Sequence, residues 1–490
     1  MGKNKDKKKQ GLGDLKTSEK TNRKLVAKQK RMLQKLGEDD IENIVSTLQK
    51  STAVETTEVA CSHPSPRTNF AVCAIDDTIF FSGGEFFNGS KTEVYGEFFT
   101  YNTVKSEWKQ INASPAPTPR SGHQMVATAQ NGGELYLFGG EYASPSQLQF
   151  LHFRDTWRYQ LASKKWEKLN TPVGPSARSG HRMVLSRKRI ILFGGFHDNN
   201  NSFQYFNDAW CFSLESYTWS KMEVAGIGPT PRSGVIIGAT EDGKIIINGG
   251  YTKTSAKGDA ERGVTHTDSF VLQETDGKWR WNSCKPGGRR PVPRSAVACT
   301  GGPGGRIYTF GGVMDTEEDD ENLRGQFSNE IHFLDTAGGG LAWRTVELKA
   351  KKAEKSDLSI ATEEVPQVKT TTDGVFTITV GGASAAKAST SVNTEQMESV
   401  SGPSPRMNAG IVLVRHHLYI FGGSYEQGSR LFTLNDFHSL DINKLDAWHT
   451  HVGNMPSLAW FGSDSEDSSN EGSDADESEE SEDSDEMDTD

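Results

Sequence analysis

Six arginines and six carboxylates recur at fixed places along the 490-residue chain. The arginines are Arg67, Arg120, Arg178, Arg232, Arg294 and Arg406, and the carboxylates are Glu97, Asp155, Asp208, Asp268, Glu330 and Asp436. One arginine and one carboxylate per repeat can form charge-assisted hydrogen bonds within or between repeats. The alternative is that the arginines face an opening and bind an anionic ligand. The sequence favours the first use and leaves the second open.

The other candidate groups argue against catalysis. The sequence contains no GxxxxGK[ST], HExxH or GxSxG motif. His123 and His181, each in an Arg-Ser-Gly-His segment, are predicted to form hydrogen bonds at the start of a strand and not to bind a metal. His416 and His417 are predicted to point to opposite faces of one strand. We therefore expect no catalytic residue, no metal site and no cofactor.

These groups belong to a repeat that occurs six times. Each copy has an arginine, an apolar strand that ends in Gly-Gly, and a later tryptophan. The glycine pairs are Gly83-Gly84, Gly139-Gly140, Gly194-Gly195, Gly249-Gly250, Gly311-Gly312 and Gly422-Gly423, and the tryptophans are Trp108, Trp166, Trp219, Trp281, Trp343 and Trp448. Successive pairs lie 56, 55, 55, 62 and 111 residues apart. Repeats of this size built from short strands indicate the blades of a β-propeller, with tryptophan in the wedge between blades.

The series of Pro-Arg, apolar-Gly-Gly and Trp resembles the kelch repeat, and the resemblance covers nearly the whole chain. It implies an all-β, six-bladed kelch β-propeller with charged, disordered N- and C-terminal extensions. It implies no reaction. The Tyr-Cys cross-link with a His pair of the copper-radical kelch oxidases, and the Glu-x3-Asp-x3-His pattern of the iron-dependent kelch proteins, are not found here.

Composition shifts divide the chain into five parts. They are a basic extension at 1–36, a short amphipathic helix at 37–53, the propeller at 54–348 and 401–460, a disordered insert at 349–400, and an acidic tail at 461–490. Within the insert, Val375–Gly382 imitates the strand that precedes a glycine pair. We expect a hairpin fragment there; a degenerate seventh blade is the alternative.

Two segments precede the first blade. Ile41, Ile44, Val45 and Leu48 follow a helical spacing, with Asp39 or Asp40 available as a cap, and the helix is expected to dock on its own propeller. Val54–Ala60 has the composition of a strand. It is predicted to close the ring by joining the outer strand of the last blade, at Trp448. Direct packing of the first blade against the last is the alternative.

Charge is concentrated at the two ends. Residues 1–36 carry 13 Lys or Arg against 3 acids, and residues 461–490 carry 15 acids and no Lys or Arg. The basic end could contact nucleic acid weakly or act as a nuclear-import signal. Ser463, Ser468 and Ser473 each have an acid three residues later, so we expect phosphorylation.

Five cysteines without a CxxC motif suit a reducing compartment. No run of 18 apolar residues exists. We therefore expect a cytoplasmic or nuclear monomer that does not bind membranes.

In kelch propellers the loops after each Gly-Gly and the turns that carry each arginine lie at one end of the ring. Aromatic and charged residues concentrate in those loops, which favours a non-catalytic scaffold that binds a protein partner. The predicted partner-binding rim is Arg67, Phe86, Phe87, Arg120, Tyr142, Arg178, Phe196, His197, Arg232, Tyr251, Arg294, Arg406 and Tyr425. Packing of these rings against one another is the alternative at the level of residues. A small-ligand protein or metal-dependent enzyme that uses the central channel is the alternative function.

Overall fold

The computed structural model describes most of the chain between residues 31 and 453. The described residues are 31–33, 35, 37–50, 56–198, 203–254, 262–319, 322–337, 340–349, 371–373, 376–378, 402–428 and 430–453.

Six sheets, each with four antiparallel strands, follow one another along the chain and form the predicted six-bladed propeller; the sheets of blades 1, 4 and 5 have a fifth, outer strand as well. Blade 1 contains Ala71–Ile75, Thr78–Ser82, Phe98–Asn102 and Glu107–Asn112; blade 2 contains Gln124–Thr128, Glu134–Phe138, Thr156–Gln160 and Lys165–Leu169; blade 3 contains Arg182–Ser186, Arg189–Phe193, Ala209–Ser213 and Thr218–Lys221. Blade 4 contains Ile236–Ala239, Ile245–Asn248, Ser269–Thr275 and Lys278–Cys284; blade 5 contains Ala298–Gly301, Ile307–Phe310, Ile331–Asp335 and Ala342–Thr345; blade 6 contains Gly410–Val414, His417–Gln427, Arg430–Asp441 and Trp448–Val452.

Each blade except the last carries a separate two-stranded hairpin directly after its glycine pair. These rim hairpins 1 to 5 pair Glu85–Phe87 with Thr92–Val94, Glu141–Ala143 with Phe150–His152, Phe196–Asp198 with Phe203–Tyr205, Tyr251–Thr254 with Arg262–Thr265, and Val313–Asp319 with Asn322–Phe327. In blade 6 the two long strands continue past the glycine pair and form rim hairpin 6 themselves.

A few short elements complete the structure. Among the described residues they include helix α1 (Ile41–Lys50), helical residues at 31–33 and 35, the 3-10 turns Gln130–Gly132 and Pro303–Gly305, and the outer strands Val224–Ala225 and Gly287–Gly288, which pair in parallel with blades 4 and 5. No helix in the described part of the chain is both long and apolar enough to cross a membrane.

The tryptophan of the outer strand packs against the preceding blade, as predicted. Trp219 of blade 3 is 5% exposed and lies edge-on to Phe138 of blade 2, with ring centroids 5.2 Å apart. Its indole Nε1–H donates to Thr156 Oγ1 of blade 2 at 2.9 Å. Truncating a buried aromatic residue of this kind to alanine costs about 3–5 kcal/mol.

The glycine pair is required by backbone geometry at the seam between blades. Gly83 and Gly84 have φ of +62° and +102°, which favours glycine. A Cβ on Gly83 would lie 2.4 Å from the carbonyl oxygen of Arg120 in the next repeat. The N–H of Gly84 donates to that same carbonyl at 3.0 Å. A side chain at this position would therefore separate two blades.

The ring closes differently from the favoured prediction. Thr57–Ala60 pairs with Glu107–Asn112, the outer strand of blade 1, and not with the last blade. Blades 1 and 6 instead pack directly, with Phe70 and Phe81 against Phe421, and Gly423 N–H donates to the Arg67 carbonyl at 3.0 Å. Since this is the same seam as between the other blades, no shared strand is needed, and the alternative prediction is confirmed.

In the insert, Thr371–Asp373 pairs with Phe376–Ile378 as an isolated hairpin, which agrees with the hairpin fragment. The five cysteines form no disulfide. Of these, Cys73 is fully buried, which raises the pKa of its thiol, and the other four are partly exposed.

Candidate functional site

The six arginines form ion pairs inside their own blades. The nitrogen–oxygen distances are 2.7 Å for Arg67–Glu97, 2.7 Å for Arg120–Asp155, 2.6 Å for Arg178–Asp208, 2.5 Å for Arg232–Asp268, 2.7 Å for Arg294–Glu330 and 2.5 Å for Arg406–Asp436. The sequence predicted such pairs within or between repeats, and all six form within a repeat. The alternative use, in which the arginines face an opening, does not match this arrangement.

Burial and further contacts explain why the arginines do not face an opening. In five repeats the side chain is at most 1% exposed, and Arg294, at 10%, is the exception. Arg178 donates to the carbonyl of Gly194 at 3.0 Å and stacks under Phe206, 3.9 Å from the ring centroid. These five guanidinium groups offer no surface to a partner. The prediction that they line a binding rim is therefore corrected, because their donors are used within the blade.

In blade 6 the ion pair also holds the carboxylate ionised. Burial alone would raise the pKa of Asp436, but hydrogen bonds from Arg406 and His438 lower it to about 2. Arg406 is fully buried and Asp436 is 5% exposed. Removing one partner from such a pair leaves an uncompensated charge in the interior, which costs about 3–5 kcal/mol.

The residue after each arginine forms a β-bridge with the residue after each glycine pair, so the arginine turns and rim hairpins lie at the same end of the ring, as predicted. The six bridges are Thr68–Glu85, Ser121–Glu141, Ser179–Phe196, Ser233–Tyr251, Ser295–Val313 and Met407–Ser424. We call this end the rim face.

Helix α1 covers part of the rim face. Ile41 and Val45 are buried against Tyr142 and Phe153 of repeat 2, and Tyr142 is only 8% exposed. Asp40 caps the helix by accepting the N–H of Glu42 at 3.0 Å. The expectation that this helix docks on its own propeller is confirmed. Tyr142 lies under the helix, so it is removed from the set of exposed anchors.

Polar contacts fix the segment before α1 to rim hairpin 2. Glu38 accepts hydrogen bonds from the Ser146 hydroxyl at 2.8 Å and the Ser146 N–H at 3.0 Å. Gln149 accepts the N–H of Ile41 at 3.1 Å and donates to the Asp39 carbonyl at 2.9 Å. Burial would raise the pKa of Glu38, but the hydrogen bonds from Ser144, Ser146 and Gln149 lower it. The helix is therefore held by specific hydrogen bonds as well as by apolar packing.

The mouth of the central channel remains uncovered by α1. A cavity of about 260 Å³ opens there. Phe196 and Tyr251, two residues of the predicted rim, line it together with Asn69, Asn408 and the inner ends of the arginine turns. These two rings are placed where a partner could contact them.

Arg182 also lines this cavity, and the sequence analysis did not single it out. Its Nε–H donates to the Val235 carbonyl at 3.2 Å and its Nη2–H to the Val297 carbonyl at 3.1 Å. None of the carboxylates in the described part of the chain forms an ion pair with it. One sequence feature could have identified Arg182. It is an arginine at the start of an innermost strand, where the other repeats have the uncharged residues Ala71, Gln124, Ile236, Ala298 and Gly410.

The other predicted rim residues are spread over several hairpins. Phe86 and Phe87 are partly exposed on hairpin 1, and Tyr425 stacks on Phe432 at 5.0 Å on hairpin 6. His197 Nδ1 lies 3.0 Å from the Ala177 carbonyl, and its ring is 4.5 Å from that of His152. The prediction that rings pack against one another thus holds for Tyr425 and His197, and also for Phe196, whose ring lies 5.7 Å from that of His152 and 5.9 Å from that of Tyr205. The three predicted phosphorylation sites lie outside the described residues.

A buried carboxyl group lies beside the channel mouth. Burial, followed by the charges of Glu85 and Asp198, raises the pKa of Glu141 to about 8. Its Oε2 is 3.3 Å from His152 Nε2, which accepts the N–H of Asp198 at 3.0 Å. Burial lowers the pKa of His152 to about 3. Because His152 is neutral and its Nε2 already accepts the Asp198 N–H, the contact with Glu141 is not an ion pair.

The histidines of the sequence analysis fall into two groups. His123 and His181 are buried, which lowers the pKa of His123 to about 3 and that of His181 well below its ordinary value. His123 Nε2 lies 3.3 Å from Ser82 Oγ, whereas neither nitrogen of His181 has a side-chain partner. The prediction for His416 and His417 is wrong. His416 lies in a turn, so strand alternation does not apply, and the two rings are 4.4 Å apart.

A second cavity, of about 300 Å³, lies between blades 4 and 5. His266, Arg294, Glu330 and His332 line it. At five seams the second glycine donates to the arginine carbonyl of the next repeat, but in this part of the described structure Gly250 makes no such bond. The seam between blades 4 and 5 is therefore more open than the others.

The fold and the repeat contacts define a β-propeller built from one repeated ion-paired blade. The model of the KLHDC2/KLHL20/DRC7 Kelch-repeats domain matches residues 37–195, 69–272 and 128–362. The chain belongs to the kelch-repeat family.

Similar proteins differ widely in size. The chain is 31% identical over 198 residues to the dynein alpha chain of the flagellar outer arm of Chlamydomonas reinhardtii, covering 38% of this chain and 4% of that protein. It is 28% identical over 286 residues to putative adagio-like protein 2 of Oryza sativa subsp. japonica, covering 55% and 42%. The match to host cell factor homolog hcf-1 of Caenorhabditis elegans is 25% identical and covers 51% and 34%. The chain thus spans less than half the length of these relatives.

Among solved structures, the fold is similar to that of YjhT, with a TM-score of 0.50 and 15% identity. The match covers 79% of this chain and 98% of YjhT. At this identity the similarity shows the fold alone.

Proposed function

We propose that this chain is a non-catalytic scaffold that binds a segment of a partner protein over the mouth of its central channel. The observation that supports this most is Arg182, a cation without a carboxylate partner in the described structure, which lines a cavity together with Phe196 and Tyr251. Arginine and aromatic residues are the side chains that contribute most to protein interfaces.

The segment carries a carboxylate. Arg182 spends only two of its donors on backbone carbonyls, so an incoming acidic side chain can form a charge-assisted pair with the rest. Phe196 and Tyr251 would contact the apolar part of the same segment. A cavity of about 260 Å³ admits one or two side chains, because sites for whole drug-sized ligands measure about 300–1,000 Å³.

The test is co-purification with tagged full-length protein. Arg182→Glu is expected to abolish co-purification of the partners, because the new carboxylate would repel the carboxylate of the bound segment. The matched control is Arg280→Glu, an exposed arginine on the outer strand of blade 4. Phe196→Ala is expected to weaken the same interactions. If Arg182→Glu keeps every partner at an unchanged melting temperature, the channel mouth is not the binding surface.

A small-ligand role is the second candidate, and the cavity between blades 4 and 5 favours it. His266, Glu330 and His332 place polar groups in that cavity. Mass spectrometry of the intact protein under native conditions would show a bound molecule of constant mass, which Glu330→Ala should remove.

The charged ends add proposals that rest on sequence alone. We propose that residues 1–36 make a weak nucleic-acid contact or act as a nuclear-import signal, and that Ser463, Ser468 and Ser473 are phosphorylated. A cytoplasmic or nuclear monomer fits these features. Microscopy of the full chain and of a version that begins at residue 37 would test the import signal.

A further inference from the structure

A cluster of metal-binding side chains lies on the face opposite the rim face. Ligand atoms of His416, His417 and Asp441 all lie within 4.8 Å of one another. His416 belongs to the turn before His417–Gln427, and Asp441 ends the neighbouring strand of blade 6. The hairpin turn is what brings two consecutive histidines to the same side.

Asp441 is held in place by the backbone. The N–H groups of Asn443 and Lys444 are 2.9 and 3.2 Å from its Oδ1 and donate to it. Its Oδ2 points to the histidines and lies 3.6 Å from His416 Nε2. Hydrogen bonds that orient one oxygen of a carboxylate while the other remains available are typical of metal ligands.

The surroundings leave room for an ion. The cluster borders a groove of about 410 Å³ at the seam between blades 6 and 1. His449 also lines this groove and is exposed. His451 differs, because its two nitrogens lie 3.3 Å from the Tyr101 hydroxyl and 2.9 Å from that of Ser439.

We propose that His416, His417 and Asp441 bind one zinc ion or a chemically similar divalent transition metal. Two imidazoles and one carboxylate are a donor set that zinc accepts, with the fourth position open to water. Zinc–ligand bonds of about 2.0–2.2 Å place ligand atoms roughly 3.3–3.5 Å apart. Side-chain rotations that shorten the separations by up to about 1.5 Å would therefore complete the site. This proposal is independent of the rim face.

Lys444 is the competing cation, since its Nζ lies 3.7 Å from Asp441 Oδ2. Zinc must displace this ammonium to reach the carboxylate. Removing the lysine charge should therefore strengthen zinc binding, whereas removing a ligand should weaken it. These opposite signs distinguish a built site from non-specific binding.

The experiment is titration of the metal-free full-length protein with zinc by calorimetry, and with cobalt by visible absorption. His416→Ala and His417→Ala should each lower zinc affinity more than about tenfold, because each variant removes one of the three ligands. Lys444→Ala should raise it severalfold. His63→Ala is the matched control and should change nothing. The carboxylates of residues 461–490 remain in every variant, so weak binding there forms a common background.

Thermal melting without metal separates folding from binding. The His416 side chain is 45% exposed, so His416→Ala should melt like the wild type. The proposal is overturned if the double variant His416→Ala/His417→Ala binds zinc as the wild type does. It is also overturned if Lys444→Ala weakens binding as much as His416→Ala does.

Discussion

Glu141 illustrates at the scale of single residues how position decides chemistry. In an unfolded chain Glu141 would be an ordinary solvent-exposed acid. Here it lies beside the channel mouth, 17% exposed, with a neutral histidine as its neighbour. The same burial affects the arginines differently, because each of them has a carboxylate partner. An acid without a cationic partner is instead kept neutral by the low polarity around it.

Glu141→Gln should stabilise the protein increasingly as the pH rises. The unfolded chain ionises this residue near 4.5, whereas the folded protein does so near 8. An acid whose pKa is raised by folding does not affect the stability of the protein below the pKa of the unfolded chain. As the pH rises from that value to the pKa of the folded protein, the protein becomes less stable. Glutamine avoids this loss. We expect an advantage of a few kcal/mol at pH 8, since one pKa unit corresponds to about 1.4 kcal/mol.

Denaturant melts at pH 5, 6.5 and 8 would measure this. Glu223→Gln, an exposed residue of blade 3's outer edge, is the control and should give a flat difference. A flat difference for Glu141→Gln as well would show that Glu141 is ionised in the folded protein.

At the scale of elements, α1 is the feature that changes which surface is available. Its apolar side covers rim hairpins 1 and 2, while the mouth of the channel and hairpins 3 to 6 stay uncovered by it. Helices of this length are marginal in isolation, so tertiary packing supplies most of the stability. Docking of α1 is therefore an equilibrium that a single buried residue can control.

Val45→Asp should undock α1 and leave the propeller folded. Val45 is 4% exposed against Tyr142 and Phe153, and a buried carboxylate there has no cationic partner. Hydrogen exchange of residues 41–50 should become fast, while exchange in the blade strands should not change. Thr47→Asp, on the exposed side of the same helix, is the control. Protected α1 amides in Val45→Asp would contradict this role of Val45.

At the scale of the whole molecule, the ring depends on both ends of the repeat region. The seam between blades 1 and 6 uses aromatic packing, the Gly423–Arg67 hydrogen bond, and the Arg415–Asp77 ion pair at 2.7 Å. Residues that are about 350 positions apart in the chain meet there. The stability of all six blades is therefore coupled through this one closure.

Removing residues 1–36 and 461–490 should leave a protein that unfolds in one cooperative transition near the melting temperature of the full chain. The strands of all six blades and the closing contacts lie between residues 57 and 452. Calorimetry is the measurement. A chain that ends at residue 445 lacks the Trp448 strand and should lose the sharp transition. If the chain of residues 37–460 also melts broadly, the charged ends contribute to the fold.

The sequence alone determined the blade count, the glycine pairs and the tryptophan wedges, and it favoured pairing of the recurring arginines with the recurring carboxylates. These features recur six times, and each is imposed by local geometry or by contact with the next repeat. The resemblance to kelch propellers located the rim face. The sequence also predicted the docking of α1, because an amphipathic pattern shows that one side of a helix must be covered.

Only the tertiary structure decided the features that occur in a single copy. Closure through blades 1 and 6, the covering of Tyr142, the position of Arg182 in the channel, and the meeting of His416 with Asp441 have no repeating pattern that could announce them. Each depends on which residues the closed ring places side by side. Packing across a ring joins positions that are far apart in sequence, and no local period records their distances.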